Sequence, residues 1–295
     1  MRTDSRAKKH LLVPQFFDRL ADASLESLVD LPDVDAQHLA NVLRARIGDL
    51  VTISDGAGHW CRAQVANIVN GRVALAIDVD SMVFSPRREH IHLYIGLAKP
   101  KVFGLAIQKA TELGVSTITP IITDRCNAKD VKKLVDPTAN ESQSRVHRWQ
   151  ENIRQAARQS ENLWLPQIEC PQGFGIALGE AIAASSGPNI TDERVVAHPT
   201  GQAWADYMRG STMLKKAGSQ QAVSNIVRTS LWIGPEGGFT HDELSALKEH
   251  GFSDVSIHYN VLRVETATVA AIALISLRNS TQFASEATAE GTRDH

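Results

Sequence analysis

From Ile91 onward, short β-branched runs alternate with helical patterns, and this alternation constrains the fold more than any other feature of the chain. IHLYIGLA is followed by QKATELG, STITPIIT, the long HRWQENIRQAARQ, ERVVAH, TSLWIG, HDELSALKEHG, DVSIH and finally ETATVAAIALISLRN. Strands separated by helices predict a parallel sheet covered on both faces, here an α/β domain over residues 89–282. In such sheets ligands bind beyond the carboxyl ends of the strands, where loops meet helix N-termini. Three strands end in unusual residues: VVAHPTG (Val195 to Gly201), LWIGPEGGF (Leu231 to Phe239) and SIHYNVLRVETA (Ser256 to Ala267).

The preceding residues, 1–84, have a different rhythm. After a helical pattern at DAQHLANVLRARIGD, apolar and polar residues alternate through LVTISDGAGHWCRAQVANIVNGRVALAIDVD, broken at Asp55-Gly56-Ala57-Gly58 and at Asn70-Gly71. Asn-Gly between two such runs predicts a hairpin, because both central residues of a type I′ turn need positive φ. A small antiparallel β-barrel is the expected outcome. GSTMLKKAGSQQAVSN (Gly210 to Asn225) reads as a surface insertion. The final FASEATAEGTRDH, residues 283–295, is polar and rich in small residues, and is expected to be disordered.

Composition removes several function classes. No apolar run reaches the roughly 18 residues of a membrane span, and the basic start MRTDSRAKKHLL lacks the apolar core of a signal peptide, so a cytoplasmic protein is expected. Cys61, Cys126 and Cys170 are far apart with no CxxC spacing, and His198 and His258 have no HxxxH or HExxH partner; neither a disulfide framework nor a metal site is expected. No GxSxG elbow supports serine nucleophile chemistry. The formal net charge is −2, yet seven Lys or Arg stand against four acids between Lys129 and Arg158. Those charges suit either a solvated face or a basic patch on a near-neutral whole. Arg154 and Arg158, four apart on the helix whose other face carries Val146, Trp149, Ile153 and Ala157, allow the same two readings.

The Pro235-Glu236-Gly237-Gly238 turn lacks the Lys of a P-loop and the spacing of a dinucleotide fingerprint. Asp242 and Glu243 follow in the first helical turn and would repel an anion, so a neutral or cationic ligand is favoured over a phosphate. The glycines either bring backbone close to that ligand or merely make a tight strand-to-helix turn, with Glu236 capping amides. At the third strand end, Thr266 is a candidate helix cap, Glu265 a first-turn acid, and Arg263 is either paired with a carboxylate or aimed at a ligand.

With these residues in view, the chain resembles the SPOUT methyltransferases, and more narrowly the RsmE family. The likeness is carried by HLANVLRARIGD with the following DGAG, AKPKVFGLAIQKATELGVSTITPIITDRC, RWQENIRQAARQS followed by LP, IGPEGGFTHDEL, and NVLRVETATVAAI. It implies methylation of N3 of a uridine in 16S ribosomal RNA of the small subunit, with S-adenosylmethionine as cofactor. It also implies a PUA-like β-barrel for RNA, an α/β domain tied in a deep C-terminal trefoil knot, and a homodimer with its site at the subunit interface. The knot is not something periodicity reveals; general folding rules argue against it. Carried over residue by residue, the cofactor lies between His198, Pro199, Thr200 and Gly201, then Ile233, Gly234, Pro235, Glu236, Gly237 and Gly238, and then Ile257, His258, Asn260, Val261 and Leu262, with Thr266 just beyond. Arg263 and Glu265 are the candidate catalytic pair: the guanidinium stabilises a uridine anion or a phosphate, and the carboxylate orients it or takes the N3 proton. Lys8, Arg44, Lys99, Lys109, Arg125, Arg154 and Arg158 are the candidate RNA contacts. The chain departs from its relatives in having Ile257-His258 where a Leu-Gly pair is usual, and Glu161-Asn162 where an Arg is usual. Two other readings stay open: a methyltransferase for another RNA site, and an RNA-binding assembly factor without cofactor.

Overall fold

A computed structural model describes residues 9–13, 28–87, 89–135, 140–184, 190–210 and 226–290. The chain divides into two compact units, Met1–Arg87 with Arg154–Leu165, and Arg88–Ile153 with Pro166–His295.

The described residues of the first unit form a five-stranded sheet in the order β1-β3-β4-β5-β2, built from β1 (Lys9–Leu12), β2 (Leu28–Asp30), β3 (Leu50–Ser54), β4 (His59–Val69) and β5 (Arg72–Phe84). Its pairings are antiparallel except β1 with β3. The expected hairpin joins β4 to β5, with Asn70 at φ 51° and Gly71 at φ 80°, as a type I′ turn requires. Every second residue of β3, β4 and β5 points inward, so Val51, Ile53, Cys61, Ala63, Val65, Val73, Leu75 and Ile77 form one core with Leu39. Leu39 comes from a short helix, α1 (Asp33–Gln37), that continues as a π-helical turn (His38–Val42). Burial raises the Cys61 thiol to about 11, in keeping with an inert core thiol.

Sequence periodicity assigned residues 154–165 to the α/β domain, but the structure places them in the first unit. Leu163 O accepts from Gly58 N–H at 3.0 Å, Leu165 N–H donates to Gly56 O at 2.8 Å, and Trp164 Nε1–H donates to Ser85 O at 3.0 Å. These are contacts of long sequence separation, which no local pattern encodes.

The second unit carries a parallel sheet in the order β12-β10-β11-β6-β7-β8, with β9 also on β7. Its strands are β6 (His90–Gly96), β7 (Thr117–Ile122), β8 (Gln167–Ile168), β9 (Gln172–Gly173), β10 (Ile190–Ala203), β11 (Ile226–Ile233) and β12 (Ser253–Ser256). All its pairings are parallel, as the alternating pattern predicts. The helices are α2 (Pro100–Glu112), α3 (Ala128–Val135), α4 (Asn140–Gln159, which runs into the first unit), α5 (Phe174–Ala183), α6 (Trp204–Gly210), α7 (His241–Glu249) and α8 (Val264–Glu290). Trp149 of α4 lies against Phe103 of α2 at 4.9 Å between ring centroids, and Asn152 donates to Gly104 O at 2.7 Å. On the sheet, His92 stacks on Tyr94 at 4.0 Å and Tyr94 on Trp232 at 4.6 Å, with Phe252 and Phe174 edge-on to Trp232.

One expectation is corrected at the C-terminal end. Helix α8 runs to Glu290, so residues 283–290, FASEATAE, are helical rather than disordered; Ala and Glu are strong helix formers and extend a helix already begun. Residues 291–295 lie outside the described residues, as do residues 211–225 of the surface insertion.

Candidate functional site

Because the strands are parallel, the carboxyl ends of β6, β10, β11 and β12 share one edge of the sheet, and each turns there into a segment of unusual shape.

The β10 segment leaves the ladder altogether. Ala197 and Gln202 both pair with Val255 of β12, so His198, Pro199, Thr200 and Gly201 loop out between two contacts with the same residue. Gly201 is required for that closeness: a Cβ there would lie 2.5 Å from Val255 N and 2.6 Å from Asp254 Oδ1.

After β11 the chain makes a turn in which Gly238 N–H donates to Pro235 O at 2.8 Å. Gly238 has φ 70°, a conformation that favours glycine. The turn is clamped from two sides. Glu236 Oε1 accepts from Lys99 N–H at 3.1 Å, and Arg125 Nη1 donates to Gly237 O at 3.1 Å. Glu236 therefore braces a neighbouring segment rather than capping its own loop. Helix α7 then opens with a capping box: Thr240 Oγ1 accepts from Glu243 N–H, and Glu243 Oε2 accepts from Thr240 N–H. The other Glu243 oxygen accepts from Asp124 N–H at 3.0 Å, so this buried carboxylate serves backbone groups of two segments.

Beyond β12, His258 Nδ1 accepts from Asn260 N–H at 3.0 Å and its ring packs on Tyr259 at 4.1 Å, while Ser256 Oγ donates to His258 O. The His258 side chain thus folds back on its own loop. Helix α8 begins at Val264, and Ala267 N–H donates to Arg263 O at 2.8 Å. Arg263, not Thr266, occupies the capping position; Glu265 stands in the first turn, where a carboxylate complements the helix dipole.

These segments enclose a pocket of about 600 Å³, within the range of small-molecule sites. Its lining includes His198, Pro199, Ile233, Gly234, Pro235, Glu236, Gly237, Gly238, Ile257, His258, Asn260, Val261, Leu262, Arg263 and Glu265, all anticipated from sequence, together with Lys99 and Arg125. Thr200, Gly201 and Thr266 are not among the lining residues; Gly201 packs on Asp254 and Val255, and Thr200 Oγ1 lies 3.0 Å from His198 Nδ1. Val102, Ala197, Phe239, Val264 and Ala267 line it without having been anticipated; their only sequence signal is adjacency to strand ends and helix starts.

The pocket mixes charges, with Lys99, Arg125 and Arg263 against Glu236 and Glu265. Glu265 Oε2 is buried and has no hydrogen-bond partner, and among the described residues no ion pair joins Glu265 to Arg263. An unpartnered carboxylate oxygen is costly, and a cationic group or a labile proton delivered to it recovers that cost.

The remaining candidates lie elsewhere. Lys109 binds Glu112 of its own helix at 2.8 Å, and Lys8 is outside the described residues. Arg44 is exposed in the first unit at φ 49°. Arg154 belongs to the first unit, and so does Arg158, which forms an ion pair with the buried Asp35 at 2.7 Å. Glu161, just past the end of α4, has φ 54°, and Asn162 N–H returns to Ala157 O at 2.9 Å, so this pair forms the turn that closes the helix. No group of three His, Cys, Asp or Glu suited to a metal occurs among the described residues, and no described helix is long and apolar enough to cross a membrane.

Comparison with known proteins gives the arrangement a lineage. The RNA methyltransferase domain family matches residues 85–276, and the RNA methyltransferase PUA domain family matches residues 31–77. The ribosomal RNA small subunit methyltransferase E of Synechocystis is 31% identical over 252 residues, 85% of this chain and 74% of that protein. The chain belongs to the ribosomal RNA small subunit methyltransferase E family. Among solved structures, the methyltransferase E from Neisseria gonorrhoeae bound to S-adenosyl methionine is 25% identical, with a TM-score of 0.65 over 92% of this chain and 97% of that one. A putative methyltransferase from Legionella pneumophila, 24% identical with a TM-score of 0.68 over 92% of this chain, shares the fold. For a methyltransferase E fold, the site is therefore a cleft at the strand ends of the α/β unit, and the PUA match lies within the first unit.

Proposed function

We propose that this chain methylates N3 of a uridine in the 16S ribosomal RNA of the small subunit, using S-adenosylmethionine. The observation that carries the reading is the wall at the start of α8, where Arg263 and the unpartnered carboxylate of Glu265 stand beside the glycine-rich turn in one pocket. The residues present fit the cofactor. Ile233, Ile257, Leu262 and Phe239 offer apolar surface to a purine ring, the backbone at Gly234 and Gly237 allows close approach, and Glu236 and Glu265 suit a ligand that carries positive charge. When bound, S-adenosylmethionine supplies a methyl group on a cationic sulfur.

The chain's own residues supply positioning and proton handling. N3 of uridine must lose a proton as it becomes a nucleophile, and charge then spreads to the flanking carbonyl oxygens. Arg263 stabilises that charge by hydrogen bonding. Glu265 accepts the N3 proton; its lack of an ion pair with Arg263 favours this role over that of orienting the guanidinium. The rigid clamps on the turn, Lys99 N–H to Glu236 and Arg125 to Gly237 O, hold the reacting groups in line, which supplies much of the rate. Lys99 and Arg125 present cations at the pocket for the RNA backbone, whereas Arg154 and Arg44 are left to the first unit.

The same reading includes a knotted C-terminal segment, a cytoplasmic enzyme, and a homodimer. Exposed Leu105 on α2, Tyr259 and Val261 on the last loop, and Val269 and Leu277 on α8 supply apolar surface for a second copy. The test is methylation of unmodified small ribosomal subunits by purified protein, followed by mass spectrometry of the RNA. One new methyl group on N3 of a single uridine is expected. Methylation elsewhere would point to another RNA site, and folded protein that binds no S-adenosylmethionine in calorimetry would point to an assembly factor.

A further inference from the structure

The looped-out segment of β10 rests on a carboxylate that neither the fold nor the reaction described above accounts for. Asp254 is nearly buried beneath Gly201, its side chain 10% exposed. Its Oδ2 binds Lys248 Nζ at 2.9 Å, but its Oδ1 is buried with no hydrogen-bond partner. His198 stands on the side of that oxygen, its Nδ1 4.0 Å away.

The state of His198 follows from its other contacts. Thr200 N–H points at Nδ1 at 3.4 Å, and Thr200 Oγ1 lies 3.0 Å from it. A backbone N–H can only donate, so Nδ1 is an acceptor and the neutral ring carries its proton on Nε2. His198 lines the pocket, and with Nδ1 taken by Thr200 the polar atom its ring has left for a ligand is Nε2–H, a donor. As an acceptor draws on that proton, the imidazole gains positive character. A carboxylate oxygen 4.0 Å behind it, with no competing hydrogen bond, stabilises that polarisation and strengthens the contact.

We propose that Asp254 is a positioning residue of the cofactor site, acting through His198, which donates from Nε2 to an acceptor oxygen or nitrogen of S-adenosylmethionine. The proposal explains why a carboxylate oxygen is kept unpaired beneath a segment that must be glycine at residue 201, since a Cβ there would strike both Asp254 and Val255. It rests on the reading of the pocket as the S-adenosylmethionine site.

The test combines calorimetry of S-adenosylmethionine binding with ¹⁵N spectra of the histidine rings. In the unaltered protein the His198 ring, assigned by its loss in His198→Gln, should be the Nε2–H tautomer, and its Nε2 signal should move on adding S-adenosylmethionine; an Nδ1–H tautomer would overturn the proposal. Asp254→Asn, which keeps shape and removes charge, should weaken binding roughly tenfold. In the His198→Gln background the same substitution should change binding less than twofold, because its effect passes through the ring. Equal losses in both backgrounds would overturn the proposal and leave Asp254 a purely structural residue. If the unaltered protein bound no S-adenosylmethionine, the site reading itself would fall and this inference with it, a result distinct from tight binding that ignores Asp254.

Discussion

Glu236 Oε1 accepts a hydrogen bond from the backbone N–H of Lys99 at 3.1 Å, joining residues 137 apart in sequence and fixing the turn after β11 against the start of α2. The bond is exposed, so its net worth to stability is small, about 1 kcal/mol. Its effect on the site is larger, because Lys99, Glu236 and Gly237 all line the pocket. Glu236→Ala is expected to weaken S-adenosylmethionine binding roughly tenfold with little change in melting temperature, and Glu236→Gln, which keeps the acceptor, should recover most of it. Calorimetry beside a thermal melt separates the two effects.

Arg263 carries the electrostatic part of the proposed mechanism. Removing one donor to a developing oxyanion costs roughly 100-fold in rate. Arg263→Ala should therefore slow single-turnover methylation by about that factor while S-adenosylmethionine affinity stays within a few fold, and Arg263→Lys should recover part of the loss. Near-normal single-turnover rates with unchanged RNA affinity would remove Arg263 from the chemistry.

What the sequence conveyed and what it withheld divide along the range of the interactions. The Asn70-Gly71 hairpin, the alternation of strands and helices, and the first-turn acids of α7 and α8 are local, and all are present as read. The glycine-rich turn was legible as a place of close approach, but Glu236 was ambiguous because its partner, Lys99, lies in another segment. The double use of Val255 by β10 depends on register between strands, which composition does not encode. Arg158 looked like a solvated or RNA-facing cation because helical spacing reports a face and not its neighbour; that neighbour is Asp35.

That pair gives a prediction opposite to the sequence expectation. Arg158 and Asp35 are only 13% and 9% exposed, so losing the guanidinium takes an ion-pair partner away from a buried carboxylate. Arg158→Ala is expected to destabilise the first unit by about 3 kcal/mol. Affinity of the folded protein for RNA should change little at moderate salt. Arg158→Ala with Asp35→Ala should recover part of the lost stability in urea unfolding, which a simple loss of an RNA contact would not produce.

Gly96 ends β6 directly against the turn. A Cβ there would lie 2.3 Å from Pro235 N and 2.8 Å from Gly234 C, both backbone, so no side-chain rotation relieves the clash. Gly96→Ala is expected to cost more than about 3 kcal/mol of stability, measured by thermal unfolding, whereas Gly114→Ala, with open space and a cost set by its φ of 81°, should cost distinctly less.

Acid sensitivity should centre on His92. Burial, with a further contribution from the nearby Arg228, lowers its pKa from 6.5 to about 4, and its Nε2 lies 2.7 Å from Thr119 Oγ1 beneath the Tyr94 and Trp232 stack. In the unfolded chain the ring titrates at its ordinary value and binds a proton that the folded protein refuses. The unfolded state therefore holds more protons across the interval between the two values, and stability rises with pH there. The contribution is fully present above about pH 6.5 and is lost as the pH falls toward about 4, below which both states are protonated and the slope vanishes. The size of the loss is on the order of 3 kcal/mol. Urea unfolding at pH 7 and pH 4.5 should show most of this difference in the second unit, and His92→Gln, which cannot titrate, should flatten the dependence over that interval while leaving the acid limb due to carboxylates below it. An unchanged pH slope in His92→Gln would assign the acid sensitivity to other groups.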